Sequence, residues 1–343
     1  MKVARLHGAG DLRIADEPEP VPGPGEAVVR VTAVGICGSD LHWYQESAIG
    51  ETALARPLVL GHEAAGVVET GARAGQRVAI DPNIPCGRCE TCTRGLPHLC
   101  PDVRFLGHSA TDGAMRERMA WPEERLVPIP DTIDDAAGAL LEPLGVAVHA
   151  MRLAALRPGD TIGIFGAGPI GRLLIRLALV SGAARVVATD RLPHRVESAR
   201  ADGAEAVLVD AGREVDLLRE LLGGRPLDTA IEIAGEADAV RTAALLVRPG
   251  TRVVVAGIPA GEDMDLPASI LRRKGLDLRF SRRMNRVYPE AIALADRIRP
   301  AEVVSAVHPI AAAASAMAEA SSRIGHKVIV RPTDEPPGES RRS

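Results

Sequence analysis

Thr161-Ile162-Gly163-Ile164-Phe165-Gly166-Ala167-Gly168-Pro169-Ile170-Gly171 is the stretch that decides the fold of this chain. An apolar run of β type, Thr161–Phe165, enters a Gly-x-Gly-x-x-Gly turn, and a helical stretch, Ile170–Ser181, leaves it. The glycine pattern alone is weak. Strand, turn and helix in that order are the context in which it cradles a dinucleotide. Gly166 permits the tight turn, Gly168 lets the backbone approach a pyrophosphate, and Gly171 lets helix and strand pack closely. Pro169 and Ile170 open the helix, whose free N–H groups and dipole favour the phosphates. Asp190 closes the next strand, 19 residues after Gly171. A carboxylate there accepts hydrogen bonds from the adenosine ribose and repels a 2′-phosphate, which favours NAD over NADP. Arg191 and Arg195 stand close enough in sequence to reach such a phosphate.

Working outward, the pattern repeats. Candidate strands Arg185–Thr189, Ala206–Val209, Thr229–Ile233, Arg252–Ala256 and Asp277–Ser281 are separated by longer stretches, several with helical periodicity, such as Arg195–Asp202. Apolar strands alternating with helices imply a parallel sheet covered on both faces. Before residue 145 the chain reads differently. Short β-type runs (Ala27–Val34, Gly66–Glu69, Arg77–Ile80, Leu126–Ile129) are punctuated by turn signals such as Pro20–Gly25. Gly145–Ala155 reads as a helix between the two regions, and Tyr288–Arg299, Ala311–Arg323 and a returning strand Lys327–Val330 follow the sheet. The polar, Pro-containing tail 332–343 is expected to be disordered.

The 343-residue length suggests two domains. With aromatics at only 2%, the core must be built from Ala, Val, Leu and Ile. A net charge of −4 without a basic stripe speaks against nucleic acid as a partner. Met1–Ala9 lacks the apolar stretch of a signal peptide, and no run of about 18 apolar residues suggests a membrane span. The protein is therefore expected in the cytoplasm.

Four of the five cysteines fall within 15 residues as Cys86-x2-Cys89-x2-Cys92-x7-Cys100. In a chain of this length such crowding favours metal over disulfides. Four thiolates form a closed tetrahedral shell around zinc with no position for substrate, so this site is expected to be structural. Free thiols, a redox Cys-x-x-Cys and an iron–sulfur cluster are the competing readings.

The fifth cysteine stands apart in Gly35-Ile36-Cys37-Gly38-Ser39-Asp40-Leu41-His42. Gly61-His62-Glu63 follows, and Leu141-Glu142-Pro143-Leu144 comes just before the dinucleotide region. One thiolate, one imidazole and one or two carboxylates would form a mixed shell with room for water or substrate, as catalytic zinc requires. A buried cysteine and a satisfied core histidine are the plainer readings of the same residues.

These motifs carry a resemblance. Val34–Tyr44 (VGICGSDLHWY), Gly61–Val68 (GHEAAGVV), the four-cysteine loop, Leu141–Ala150 (LEPLGVAVHA), Gly166–Gly171 and Lys327–Val330 (KVIV) stand in one order over about residues 1–330. In that order the chain resembles the zinc-containing medium-chain dehydrogenase/reductase superfamily, and within it the sorbitol (polyol) dehydrogenase group. The resemblance implies an α/β protein with two domains. A GroES-like, mainly β catalytic domain would comprise 1–145 and 285–343, and a Rossmann domain 146–284. It implies two zinc ions and NAD. Cys37, His62 and Glu63 would hold the catalytic zinc, with Glu142 binding directly or through water. Cys86, Cys89, Cys92 and Cys100 would hold the structural zinc. Ser39 and His42 match a proton relay. Tyr44, Phe105, His108 and Arg283 fall at substrate-pocket positions, whereas Met284 stands where some relatives have an aromatic. The implied reaction moves a hydride from a secondary hydroxyl of a polyol to NAD. Other secondary alcohols (a vicinal diol, L-threonine, an aminocyclitol) and a non-catalytic NAD-binding relative are the alternatives. Assembly as a homodimer or homotetramer is also implied, through the edge strand Asp277–Ser281.

Overall fold

In the computed structural model, which describes residues 1–108, 110–209, 212–259 and 264–333, the strand Thr161–Phe165 lies inside a six-stranded sheet. The order across that sheet is Glu205–Leu208, Arg185–Asp190, Thr161–Phe165, Thr229–Glu232, Arg252–Val255, Asp277–Phe280. Every neighbouring pair is parallel. Ile162–Phe165 are all buried, as a strand covered on both faces requires. The chain order reverses beside Thr161–Phe165, and such a switch point opens a crevice for a ligand beyond the carboxyl ends of the strands.

Helix Pro169–Val180 begins on the glycine turn, with Gly168 as its cap and Pro169 at the first position, where a missing N–H is harmless. Gly166 has φ +111°, and a Cβ on Gly171 would collide with the Gly166 carbonyl oxygen. The turn therefore requires glycine at both positions.

Two compact units form. One is Pro143–Val303, and the other joins Met1–Glu142 to residues 304–333. The boundaries thus fall at 142/143 and 303/304, where the sequence suggested 145/146 and 284/285. The later boundary moves because helix Tyr288–Ile298 packs on helix Pro169–Val180. Arg176 on the second of these helices also donates to the carbonyls of Ile298 and Arg299, both at 3.1 Å, and to Glu302 at 2.9 Å.

The other unit is built on a seven-stranded sheet. Its order is Leu126–Pro128, Arg77–Ile80, Glu63–Val68, Glu26–Gly35, Lys327–Arg331, Val304–Pro309, with Arg118–Pro122 also on Glu26–Gly35. The last long strand, Lys327–Arg331, pairs antiparallel with Glu26–Gly35, so the two ends of the chain close one sheet. Its core is aliphatic, as the composition requires, with Val29, Val31, Leu58, Val78, Ile80 and Val330 buried around Trp43.

A short helix, Gly38–Glu46, interrupts this β region. Only Asp40 and Trp43 are buried on it, so it offers little apolar periodicity to read. Two residues expected in the tail are held on the domain instead: Pro332 is buried and Thr333 donates to the Val31 carbonyl at 3.1 Å. The remainder of the expected tail, 334–343, lies outside the described residues. No helix among the described residues is long and apolar enough to cross a membrane.

Candidate active site and metal centres

Sheet register assembles the mixed cluster. Gly35, at the end of strand Glu26–Gly35, pairs with Glu63, at the start of strand Glu63–Val68. Cys37 leaves the first strand where His62 enters the second. A ligand atom from each of Cys37, His62 and Glu63 lies within 4.8 Å of the other two. Gly35 is needed here because a Cβ would collide with the Glu63 carboxylate.

Two charged residues hold this cluster from behind. Lys327 Nζ donates to both oxygens of Glu63, at 2.8 and 2.7 Å, and to the Ile36 carbonyl at 2.9 Å. Burial alone would push the Lys327 amine down, but Glu63 and Cys37 outweigh it and hold it above its ordinary value. Asp40 is fully buried and its Oδ1 lies 3.6 Å from His62 Nδ1. The same carboxylate accepts from the backbone N–H groups of Cys37 (2.9 Å) and Gly61 (3.1 Å). Burial would raise Asp40, yet His62 and these donors hold it below the usual carboxylate range. A carboxylate on Nδ1 leaves Nε2 to present its lone pair, the arrangement found behind metal-bound histidines.

Glu142 is buried at 5% exposure, but it is not among the three residues gathered within 4.8 Å. Burial pushes its carboxyl up to about 7, with His62 opposing and Glu63 reinforcing the rise. The structure therefore brings three of the expected ligands together and sets the fourth within their electrostatic reach.

The expected relay and pocket residues divide. Ser39 is half-buried in the first turn of helix Gly38–Glu46. His42, its side chain 33% exposed, pairs through Nδ1 with Glu46 at 3.2 Å. The Phe105 ring lies tilted against His62, centroids 5.3 Å apart, which puts it beside the cluster. His108 meets Trp43 edge to face at 5.5 Å. Tyr44 packs half-buried against the hydrophobic core. Arg283 belongs to the Pro143–Val303 unit, in left-handed backbone at φ +56°. Met284 is buried there against Gly145.

Cys86, Cys89, Cys92 and Cys100 converge within 4.8 Å, none of them in a disulfide. Cys89 Sγ and Cys100 Sγ are 3.8 Å apart. That matches the edge of a tetrahedron with Zn–S bonds of about 2.3 Å, which is about 3.8 Å. It is far longer than a disulfide bond of about 2.05 Å. The Cys86 N–H points at Cys100 Sγ at 3.3 Å, as a donor to a thiolate would. Both donor sets fit zinc, one closed and one open.

At the glycine turn, Asp190 accepts from the Ala167 N–H and the Leu192 N–H, both at 2.9 Å. It therefore ties the turn to the end of its own strand. Arg195 lies 3.8 Å from Asp190, and its tip reaches over Gly168. Arg191 is exposed and lies 3.4 Å from Glu236.

Sequence reasoning missed Asp40, Lys327 and Glu232. Asp40 sat within the quoted motif, three residues after Cys37, the spacing of a side chain that folds back onto a helix start. Lys327 and Glu232 are single charges within apolar strands, a signal that burial requires a partner.

Comparisons with known proteins place the chain in a family. The family model described as "Alcohol dehydrogenase GroES-like domain" matches residues 23–131, and "Zinc-binding dehydrogenase" matches 169–297. Sorbitol dehydrogenase of Bacillus subtilis is 36% identical over 301 residues, covering 85% of each chain. A probable D-xylulose reductase A of Arthroderma otae is 34% identical over 344 residues, covering 96% of each. An alcohol dehydrogenase from Escherichia coli CFT073, solved with NADH, superposes with a TM-score of 0.89. It is 27% identical, and the match covers 96% of this chain and 99% of that one. The chain belongs to the zinc-containing medium-chain dehydrogenase/reductase superfamily, in its polyol dehydrogenase-like group. It is an oxidoreductase of the alcohol dehydrogenase type, using zinc and a nicotinamide cofactor.

Metal analysis of the purified protein is expected to return two zinc ions per chain. Cys37→Ser and Cys89→Ser should each lower the content toward one, and a full complement in either variant would remove that cysteine from its shell.

Proposed function

We propose that this protein oxidises a secondary hydroxyl of a sugar alcohol or similar polyol to a ketose or ketone, with NAD as the hydride acceptor. The observation that carries this reading is the open Cys37–His62–Glu63 cluster with the buried carboxyl of Glu142 beside it. Relatives that act on polyols and pentuloses, sorbitol dehydrogenase and D-xylulose reductase, support the substrate class. Bound at the mixed cluster, zinc supplies Lewis acidity toward the substrate hydroxyl, and NAD supplies the hydride acceptor.

The chain's own residues supply the rest. Cys37, His62 and Glu63 are the metal ligands, while Asp40 orients the imidazole and Lys327 neutralises Glu63. Ser39 relays the hydroxyl proton, accepting it on Oγ while giving up its own, and His42, partly exposed, passes a proton on to solvent. Phe105 forms an apolar wall against His62. Glu142 hydrogen-bonds a second substrate hydroxyl. Such a contact discriminates a polyol from a simple alcohol, because a mono-ol would leave the buried carboxyl without its partner. Asp190 selects NAD by bonding the adenosine ribose, and Arg195 faces the phosphates over Gly168. The reading also includes a cytoplasmic homodimer or homotetramer assembled on the edge strand Asp277–Phe280, where Phe280 is 66% exposed.

The direct test follows NADH formation by the zinc-loaded protein with sorbitol, xylitol, ribitol, galactitol, inositol, 2,3-butanediol and L-threonine. Turnover of at least one polyol, abolished in Cys37→Ser, is expected. Activity confined to butanediol or threonine would overturn the polyol assignment while leaving the chemistry.

Asp190→Gly should weaken NAD by about tenfold or more, the worth of a hydrogen bond to a charged group, and improve NADP relative to NAD. An unchanged ratio of kcat/KM for the two cofactors would exclude Asp190 as the selector.

A further inference from the structure

Glu232 is a carboxylate with no exposure to solvent at the carboxyl end of strand Thr229–Glu232. Its Oε1 accepts from three successive backbone donors, Ala234 and Gly235 at 2.6 Å and Glu236 at 3.3 Å. Its own carbonyl accepts from Ala256 at 2.8 Å and Gly257 at 3.2 Å. Its Oε2 faces Gly257, 2.9 Å from where a Cβ there would stand. Burial raises this carboxyl, while the N–H groups of Gly235, Glu236, Ala234 and Gly257 pull it back down.

The loop held this way touches two others. A Cβ on Gly166, in the phosphate-binding turn, would stand 2.9 Å from the Ala234 nitrogen. A Cβ on Gly235, whose φ is +79°, would collide with the Ile258 carbonyl, and one on Gly257 with the Gly235 nitrogen. Three backbone turns at the carboxyl edge of the sheet are thus stacked in close backbone contact, with the Ala234 methyl beside the first of these contacts, and one buried carboxylate ties the middle one down. Thr229–Glu232 and Arg252–Val255 are the first strands of the second half of the sheet. In a doubly wound dinucleotide fold each half receives one mononucleotide, and Asp190 marks the first half as the adenosine side.

We propose that Glu232 is a positioning residue for the nicotinamide half of the cofactor, fixing the Ala234–Glu236 and Ala256–Ile258 turns against which that half lies. The proposal rests on the cofactor reading above. A carboxylate suits the task because its Oε1 takes three N–H donors at once, each bond charge-assisted. Glutamine in its place offers those donors a neutral carbonyl oxygen, and all three bonds lose their charge assistance.

The test compares binding of NADH and of AMP to zinc-loaded wild type and Glu232→Gln by calorimetry, well below the unfolding temperature. Glu232→Gln is expected to raise the NADH Kd by about tenfold, the loss of a charge-assisted hydrogen bond, and to leave the AMP Kd within about twofold. Gly235→Ala, which strains the same turn without touching the carboxylate, should give the same split. It carries the test if Glu232→Gln fails to fold. A lowered unfolding temperature with wild-type NADH affinity would mean a purely structural role and overturn the proposal. Equal weakening of NADH and AMP would overturn its assignment to one half. Wild type that binds no NADH would sink the cofactor reading, and this inference with it.

Discussion

The buried ion pair between Lys327 and Glu63 is the constraint on which the catalytic unit depends. The two residues are 264 positions apart in sequence, and both side chains are at most 4% exposed. Two charges removed from water are tolerated only when their hydrogen-bonding groups are well paired. Here both carboxylate oxygens are used, and the Ile36 carbonyl takes a further ammonium proton. The pair joins the returning strand Lys327–Arg331 to the loop bearing Cys37 and to the strand that follows His62. Leaving either charge without its partner would be strongly destabilising, by about 3–5 kcal/mol. The fold and the metal cluster are therefore secured by the same contact.

A second carboxylate, Asp40, turns that scaffold into a ligand set. It fixes His62 through one oxygen, and both oxygens also take backbone N–H groups, from the Cys37 and Gly61 segments. The two metal shells then differ by construction. The four-cysteine shell is closed by thiolates from one loop. The mixed shell draws a thiolate, an imidazole and a carboxylate from two strand ends, with Glu142 held nearby as a buried carboxyl rather than as a fourth sulfur. Zinc in the first can only pin the loop; zinc in the second has room to meet a substrate.

Much of this was legible in the sequence because the deciding signals are local. The glycine turn needs positive φ at Gly166 and close approach at Gly171, and both show as glycines at fixed spacing after an apolar strand. The parallel strands read as apolar runs, and their bounds in the structure differ by a residue at most places. Cysteine spacing alone announced the closed metal site. What escaped was what depends on distant partners. Lys327 draws its role from Glu63, brought in by sheet register, and Asp40 from His62 and Gly61 twenty or more positions on. Glu232 bonds donors only two to four residues away, and what the sequence hides is the stacking of its loop on the glycine turn and on the Gly257 segment. The domain boundary after Val303 escaped for the same reason, since Arg176 ties residues 298–302 to a helix more than a hundred positions earlier. Helix Gly38–Glu46 was hidden by its weak apolar periodicity.

The most direct measurement of the central claim is the visible spectrum of protein whose mixed-site zinc has been replaced by cobalt. An open shell of Cys37, His62 and Glu63 predicts thiolate-to-cobalt and ligand-field bands that shift when a polyol substrate is added and vanish in Cys37→Ser. Bands indifferent to polyol, or unaltered in that variant, would place the metal in a closed shell and contradict the account.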